Sequence, residues 1–215
     1  MKLTELPPLP VLSEWLQHPG ASNVGVRTIP YDINDLGHAV GASLGHYTGE
    51  PGEPYVRAML WVDGEPAAPL RTDNASEAMR INNRDEVLIA EMAPGSSSAA
   101  SRFHLLRRAT DETIDLATLI QGLTYTYDLD DHGRLLALRQ IGEEFLFEVL
   151  IHDVDSGAQV VLPPFRPGWT IRWIDQYGWL GVAGSDGQAR YCKPIGLDNA
   201  GRVCAVIELS ENQFE

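Results

Sequence analysis

The sequence has few of the residues that point to secretion, to a metal scaffold or to a membrane. It contains two cysteines, Cys192 and Cys204, without Cys-x-x-Cys spacing. A disulfide-rich scaffold or a zinc ribbon is therefore not expected, and two buried thiols are the simpler prediction. No run approaches the roughly 18 apolar residues that a membrane-spanning helix needs. The proline-interrupted N-terminus lacks the apolar core of a signal peptide, so we expect a cytoplasmic protein that does not bind membranes.

Basic residues are scarce relative to acidic ones. The chain of 215 residues has 30 Asp and Glu against 16 Lys and Arg, a formal net charge of −14. A field of this sign repels phosphate backbones, so nucleic acid is not an expected partner. It attracts a basic protein or a cation, although the charge could also serve solubility alone.

Catalytic motifs are scarce as well. Residues 41–45 match the Gly-x-Ser-x-Gly elbow of hydrolases, but the residues that follow cannot begin the helix which that motif needs. The acidic segment 128–133 has Arg139 at the position where an EF-hand requires a bidentate Glu. The six histidines have no His-x-His or His-x-x-x-His spacing. We predict no catalytic residue, no metal site and no cofactor.

What the sequence does contain is a repeated turn. Five segments have an aliphatic residue, Asn or Asp, two linker residues, Gly or Asp, and then an apolar run. Their aliphatic residues are Ile33, Ile81, Leu129, Ile174 and Leu197, separated by 48, 48, 45 and 23 residues. Asn, Asp and Gly tolerate positive φ and bond their own backbone, so each segment predicts a strand, a tight turn and a second strand.

A period in the forties is typical of propeller blades built from four short antiparallel strands. We predict an all-β fold of repeated four-stranded antiparallel sheets, β-propeller-like and small or incomplete. A proline-rich arm over 1–22 would precede a single repeat domain over 23–215. Three and a half repeats leave open a small closed ring, an open stack of sheets, or a homodimer that completes the ring.

The first repeat also carries a family resemblance. Arg57-Ala58-Met59-Leu60-Trp61, followed by Asp63-Gly64, accompanies the turn that begins at Ile33-Asn34. This arrangement of residues resembles the repeat of the HAF-repeat family, which is named for a His-Ala-Phe segment. Here Arg57 stands in place of the His and Met59 in place of the Phe. The match is best over residues 30–92 and decays to about 205. The resemblance implies a β-propeller-like fold and implies no catalytic activity.

The loops opposite the repeated turns differ from repeat to repeat, and loops on a rigid scaffold are where binding residues gather. The segment 163–170 places aromatic residues and Arg on a proline-stiffened backbone, as interface hot spots require. Its aromatic residues could instead pack into the core. The predicted partner-binding residues are Tyr47, Glu50, Glu53, Asp73, Glu77, Phe165, Arg166 and Trp169.

These observations predict a non-enzymatic protein-binding scaffold. Its acidity suits an inhibitor or immunity protein that is steered by charge to a basic toxin or nuclease and blocks the active site of that partner. The alternative is a small-ligand-binding protein or a hydrolase whose site lies at the propeller centre. A third hypothesis is an assembly module completed by a second copy.

Overall fold

A computed structural model describes residues 27–46, 54–63, 65–66, 70, 74–93, 100–142, 146–164, 167–175, 177–184, 189–203 and 206–210. The predicted arm over 1–22 lies outside these residues. The described chain consists of sixteen strands and one short 3-10 helix, which confirms the all-β class. Among the described residues, no helix is long and apolar enough to cross a membrane. The chain divides into two compact units, residues 1–114 (unit 1) and 115–215 (unit 2).

Unit 1 contains two antiparallel sheets of four strands, and in each sheet the strands lie side by side in chain order. The strands of the first sheet are β1 (Arg27–Ile33), β2 (Ala39–His46), β3 (Pro54–Val62) and β4 (Glu65–Pro66). Those of the second are β5 (Ser76–Ile81), β6 (Glu86–Met92), β7 (Ala100–Arg107) and β8 (Glu112–Asp115).

The core of unit 1 lies between its two sheets. Val40, Ala58 and Leu60 from the first sheet pack in one cluster with residues from the second, among them Val87 and Ile89. Because successive strand residues point to opposite faces, Met59 and Trp61 lie on the other face of β3. Both are fully buried, so β3 is covered on both faces.

Unit 2 contains a single sheet of eight strands. These are β9 (Leu123–Leu129), β10 (Arg134–Ile141), β11 (Leu146–Asp153), β12 (Gln159–Val161), β13 (Thr170–Ile174), β14 (Leu180–Ala183), β15 (Ala189–Pro194) and β16 (Val206–Ser210). A 3-10 helix, Leu116–Thr118, precedes β9, and the carboxylate of Asp115 caps it by accepting from the amide of Ala117. The core joins β9–β11 to β14 and β15 through residues such as Leu136, Val149, Leu180 and Cys192.

One edge of β11 is shared by two strands. Near its C-terminal end β11 pairs with β12, where Leu150 lies opposite Val161. Toward its N-terminal end it pairs with β13 through Phe147 and Ile171. We expected a separate sheet for each repeat, and this shared edge instead joins β9–β12 and β13–β16 into one sheet.

All five predicted turns are present: turn 1 (34–37), turn 2 (82–85), turn 3 (130–133), turn 4 (175–178) and turn 5 (198–201). In turn 1 the amide oxygen of Asn34 accepts from the backbone N–H groups of Leu36 at 3.1 Å and His38 at 3.0 Å. In each of the other four turns, the side chain of the first residue likewise accepts from the backbone N–H groups two and four residues later. The fourth residue has positive φ in every turn. It is glycine in turns 1, 3, 4 and 5, and in turn 2 it is Asp85, with φ of 62°.

Two strands of unit 1 are short. β4 has two residues, Glu65–Pro66, and residues 67–69 after it lie outside the described chain. β8 ends at Asp115, because the side chain of Asp115 caps the 3-10 helix that follows.

Candidate partner-binding groove

Two of the eight predicted partner-binding residues are described. Tyr47, Glu50, Glu53, Asp73, Phe165 and Arg166 lie outside the described residues. We predicted Glu77 in a loop, but it lies in β5, opposite Ala90 of β6. Burial raises the pKa of its carboxyl group, and a hydrogen bond from Tyr31 partly opposes this shift. Glu77 is thus a half-buried strand residue bonded to a neighbouring side chain.

Trp169 lines a groove in unit 2 with a volume of about 230 Å³. The groove opens where β12 leaves the edge of β11 and before β13 joins it. Its other lining residues are Phe147, Glu148, Val149, Val161, Leu162, Pro163, Pro164, Thr170 and Ile171. The proline-rich segment that the sequence singled out therefore forms one wall of a surface groove.

The floor of the groove is continuous with the core of unit 2. Phe147, Trp169 and Ile171 pack against that core while staying partly accessible. The guanidinium of Arg190 lies over the Trp169 ring, 5.3 Å from its centroid, as in a cation–π contact. The Trp169 ring therefore packs on the core, as one of the two interpretations expected, and also lines the groove.

One wall of the groove is polar. Glu148 forms an ion pair with Arg139, and Arg139 donates to the side-chain oxygen of Gln159 at 2.9 Å. Gln159 in turn bonds Nδ1 of His152 at 3.1 Å. Burial lowers the pKa of His152, and its buried Nε2 has no hydrogen-bond partner. These groups hold the wall in place and include no nucleophile beside a base.

Two polar clusters among the described residues join turns to each other. In unit 1, Asp35 and Asn83 bond reciprocally. The Asp35 amide donates to the Asn83 side-chain oxygen at 2.7 Å, and the Asn83 side-chain amide donates to Asp35 at 2.8 Å. Beside them, the carboxylate of Asp32 accepts from the amide of Ile81 at 3.0 Å. We call this contact between turns 1 and 2 the unit 1 clamp.

The same contact occurs in unit 2 between turns 3 and 5. Asp131 and Asn199 bond reciprocally at 3.0 and 2.7 Å. The carboxylate of Asp128 accepts from the amide of Leu197 at 2.7 Å. We call this the unit 2 clamp. The carboxylate and amide groups of both clamps thus bond to neighbouring turns and strands. These bonds account for the Asp and Asn residues of the turns without a ligand.

Two histidine–carboxylate pairs bring together groups that act as bases in catalytic sites. Nδ1 of His38 lies 2.8 Å from Asp85, whose other oxygen is ion-paired with Arg108. Nε2 of His104 lies 2.7 Å from the buried Glu91, which also accepts from Asn74. Ser43, the serine of the elbow-like motif, lies buried within β2. In the described part of the chain, no group of three His, Cys, Asp or Glu side chains is placed to hold a metal ion.

Comparisons with known proteins find no matching family model and no matching curated protein. Among solved structures the chain is similar to an oligogalacturonate lyase in complex with manganese, at 12% identity and a TM-score of 0.47, covering 75% of this chain and 52% of that one. It is also similar to TolB from Acinetobacter baumannii, at 16% identity and a TM-score of 0.40, covering 78% and 43%. The chain thus spans about half the length of these structures.

Proposed function

We propose that this chain is a non-enzymatic scaffold that binds a partner protein through the groove beside β11. The observation that carries the proposal is the composition of the groove. An aromatic ring and two prolines stand on an apolar floor, and the paired charges of Glu148 and Arg139 lie at the side. Grooves walled by aromatic and proline residues suit an extended peptide segment, since little side-chain entropy is lost on binding.

The size of the groove favours a protein segment over a small molecule. Its volume of about 230 Å³ lies below the roughly 300–1,000 Å³ typical of pockets that enclose a ligand. Val161 at its rim is 46% exposed, and Pro163 and Pro164 are also exposed. A shallow site of this kind can take a few side chains of a protein whose main contact area lies around it.

The charge of the chain supports a basic partner. A net charge of −14 speeds the encounter with a positively charged protein and slows that with nucleic acid. An acidic inhibitor or immunity protein that covers the active site of a basic toxin or nuclease in the cytoplasm fits this balance. We further propose that β1–β4, β5–β8, β9–β12 and β13–β16 correspond to four blade-like repeats of the HAF type.

Affinity capture from a native lysate tests the proposal. The bait variants are Val161→Lys, which changes the groove rim, and Val160→Lys, which adds the same charge at the neighbouring residue of β12 outside the groove. Val160 is 60% exposed, so both variants are expected to fold. We expect one basic protein to be captured in 1:1 ratio by the wild type and by Val160→Lys, and to be lost with Val161→Lys.

The association rate of the captured protein supplies the second measurement. We expect it to fall steeply between 50 and 500 mM salt, about 10-fold or more, because screening removes the steering. Equal capture by the two variants would remove the groove from the proposal. An association rate independent of salt would remove the charge steering.

A further inference from the structure

A line of polar side chains crosses β10, β11 and β12 on one face of the unit 2 sheet. Arg139 on β10 lies opposite Glu148 on β11, and His152 on β11 lies opposite Gln159 on β12. Arg139 donates to the side-chain oxygen of Gln159 at 2.9 Å, and the side-chain nitrogen of Gln159 lies 3.1 Å from Nδ1 of His152. These side chains therefore tie β12 to β10 as well as to β11.

The donors in this line fix which ring nitrogen of His152 carries the proton. A guanidinium can only donate, so the Gln159 amide turns its oxygen toward Arg139 and its nitrogen toward His152. Nδ1 of His152 is then the acceptor, and the proton of the neutral ring is on Nε2. That Nε2 is buried and has no hydrogen-bond partner among the described residues. The line is thus complete only while His152 is neutral.

The surroundings of His152 favour the neutral ring. The charged side chains on the strands beside it and on its own strand are Arg134, Arg139, Glu148 and Asp153, and β12 has none. Because strand residues alternate between faces, Arg139 and Glu148 share the face of His152 and pair with each other. Burial lowers the pKa of His152, and the charge of Asp153 only partly opposes this shift. His152 therefore gains a second proton below its ordinary pKa of about 6.5.

β12 is placed to pass a change at His152 on to the groove. Its three residues are all exposed, and among the described strands it pairs with β11 alone. The next residue, Leu162, lines the groove, and its amide donates to the Val149 carbonyl at 2.9 Å. At the other end, the Asp153 carboxylate accepts from the Ser156 amide at 2.8 Å, and this bond holds the pKa of Asp153 below its ordinary value. The turn therefore stays closed at a pH that charges His152.

We propose that His152 is a proton switch that frees β12, and with it the groove wall, when the ring becomes charged. Protonation places a hydrogen on Nδ1, where the Gln159 amide already directs its own N–H, so two donors face each other. Rotating the amide would offer its oxygen to His152 but would turn its NH2 group toward Arg139, which is also a donor. In either orientation one of the two side-chain bonds of Gln159 is lost. As regulation of partner binding the proposal rests on the proposed function of the groove, whereas the response of the wall belongs to the chain alone.

Nuclear magnetic resonance of the full chain without a partner tests the switch. Long-range ¹H–¹⁵N spectra should show the Nε2–H tautomer of His152 at about pH 7.5 and a charged ring by about pH 5. Over the same titration, protection of the Leu162 amide from hydrogen exchange, corrected for the intrinsic rate at each pH, should fall about 10-fold or more. The Gly157 amide, which donates to the Asp153 carbonyl within the turn, is the internal control and should keep its protection.

Two substitutions of the exposed Gln159 separate the switch from general effects of acid. A carboxylate can accept both from Arg139 and from a protonated Nδ1, so Gln159→Glu should raise the pKa of His152 and keep the Leu162 amide protected at about pH 5. Gln159→Met removes both bonds, so the protection should be low already at about pH 7.5 and should not change as His152 titrates.

Three outcomes would each overturn the proposal. They are an Nδ1–H tautomer at about pH 7.5, Leu162 protection that does not follow the titration of His152, and a Gln159→Glu variant that loses protection as the wild type does. None of these measurements involves the partner. Equal capture by Val161→Lys and Val160→Lys would therefore remove the groove from the proposed function without touching the switch.

Discussion

The two clamps have the same framework but differ in the side chains beside it. In each, an Asp two residues before the first turn accepts a backbone N–H, and an Asp and an Asn of the two turns bond reciprocally. One difference lies where the residue after the first turn meets the last residue of the second turn. In unit 1 this is His38 against Asp85, and Asp85 also pairs with Arg108. In unit 2 it is Arg134 against Gly201.

The difference shows how a turn residue depends on a neighbour distant in sequence. Arg134 reaches across to donate to the Asn199 carbonyl at 2.8 Å, and a Cβ at residue 201 would lie 2.7 Å from its Nη1 atom. Histidine is shorter, so the fourth position of turn 2 can hold a side chain. That side chain then accepts from a histidine and an arginine, which offsets the cost of its positive φ.

The largest expected effect tests the shared framework. Asp32→Ala and Asp128→Ala each remove the acceptor of a partly buried backbone N–H, of Ile81 and Leu197 respectively. We expect each variant to lower the free energy of unfolding by about 1–3 kcal/mol in urea titrations, because an unpaired buried donor is costly. Asp32→Asn and Asp128→Asn keep one acceptor oxygen and should recover part of the loss. A loss in only one unit would show that the clamps are not equivalent.

A glycine pair tests the place where the clamps differ. Gly37 and Gly201 hold similar positive φ values of 81° and 78°, but a Cβ at Gly37 meets nothing within 4 Å. Gly37→Ala should therefore lower the free energy of unfolding by about 1 kcal/mol, the cost of placing a Cβ on a backbone with positive φ. Gly201→Ala should cost about 1 kcal/mol more, because it displaces Arg134 from the Asn199 carbonyl. Equal losses in thermal and urea unfolding would contradict the role given to Arg134.

The third prediction concerns Asp85. Asp85→Gly relieves the positive φ but leaves Arg108 and His38 without their acceptor, so we expect a net loss of about 1 kcal/mol at pH 7. In an Arg108→Ala background the same substitution should be close to neutral. This double-mutant cycle measures the coupling directly. Additive losses would mean that Arg108 does not stabilise Asp85.

The smallest expected effect is on pH dependence and is confined to unit 2. Burial lowers the pKa of His152, so the folded state binds this proton less readily than the unfolded state. The stability contributed by neutral His152 is complete above the unfolded pKa, about 6.5, and falls as pH drops below it toward the folded pKa. We expect His152→Leu to reduce the acid slope of the unfolding free energy between pH 7 and 5.

The turns were predictable from sequence because their bonding is local. Asn34, Asn82, Asp130, Asp175 and Asp198 each bond amides two and four residues ahead, so residue type alone indicates the geometry. The prominence of the segment around Trp169 was also visible in the sequence, because three prolines within residues 163–167 indicate a stiff loop, and Trp169 lines the groove.

Features that depend on distant contacts were missed. The sharing of the β11 edge depends on one pair, Phe147 and Ile171, which no periodicity reveals. The contact of Trp173 on β13 with Tyr191 on β15 depends on Gly181 being small opposite Trp173, and in sequence that glycine looks like any other strand glycine. Glu77 was placed in a loop, whereas it lies in β5 and receives a hydrogen bond from Tyr31, which belongs to the other sheet of unit 1.

The different spans of the clamps have a consequence for chain connectivity. The reciprocal Asp–Asn pair closes 48 residues in unit 1 and 68 in unit 2. Loop-closure entropy grows only with the logarithm of length, so the longer span costs about 0.3 kcal/mol more. The additional residues of unit 2 include turn 4, whose Gly178 carbonyl accepts from the Tyr127 hydroxyl at 3.1 Å. An entire hairpin can thus be inserted between two clamped turns at almost no thermodynamic penalty, which makes the clamp a suitable point for engineered insertions.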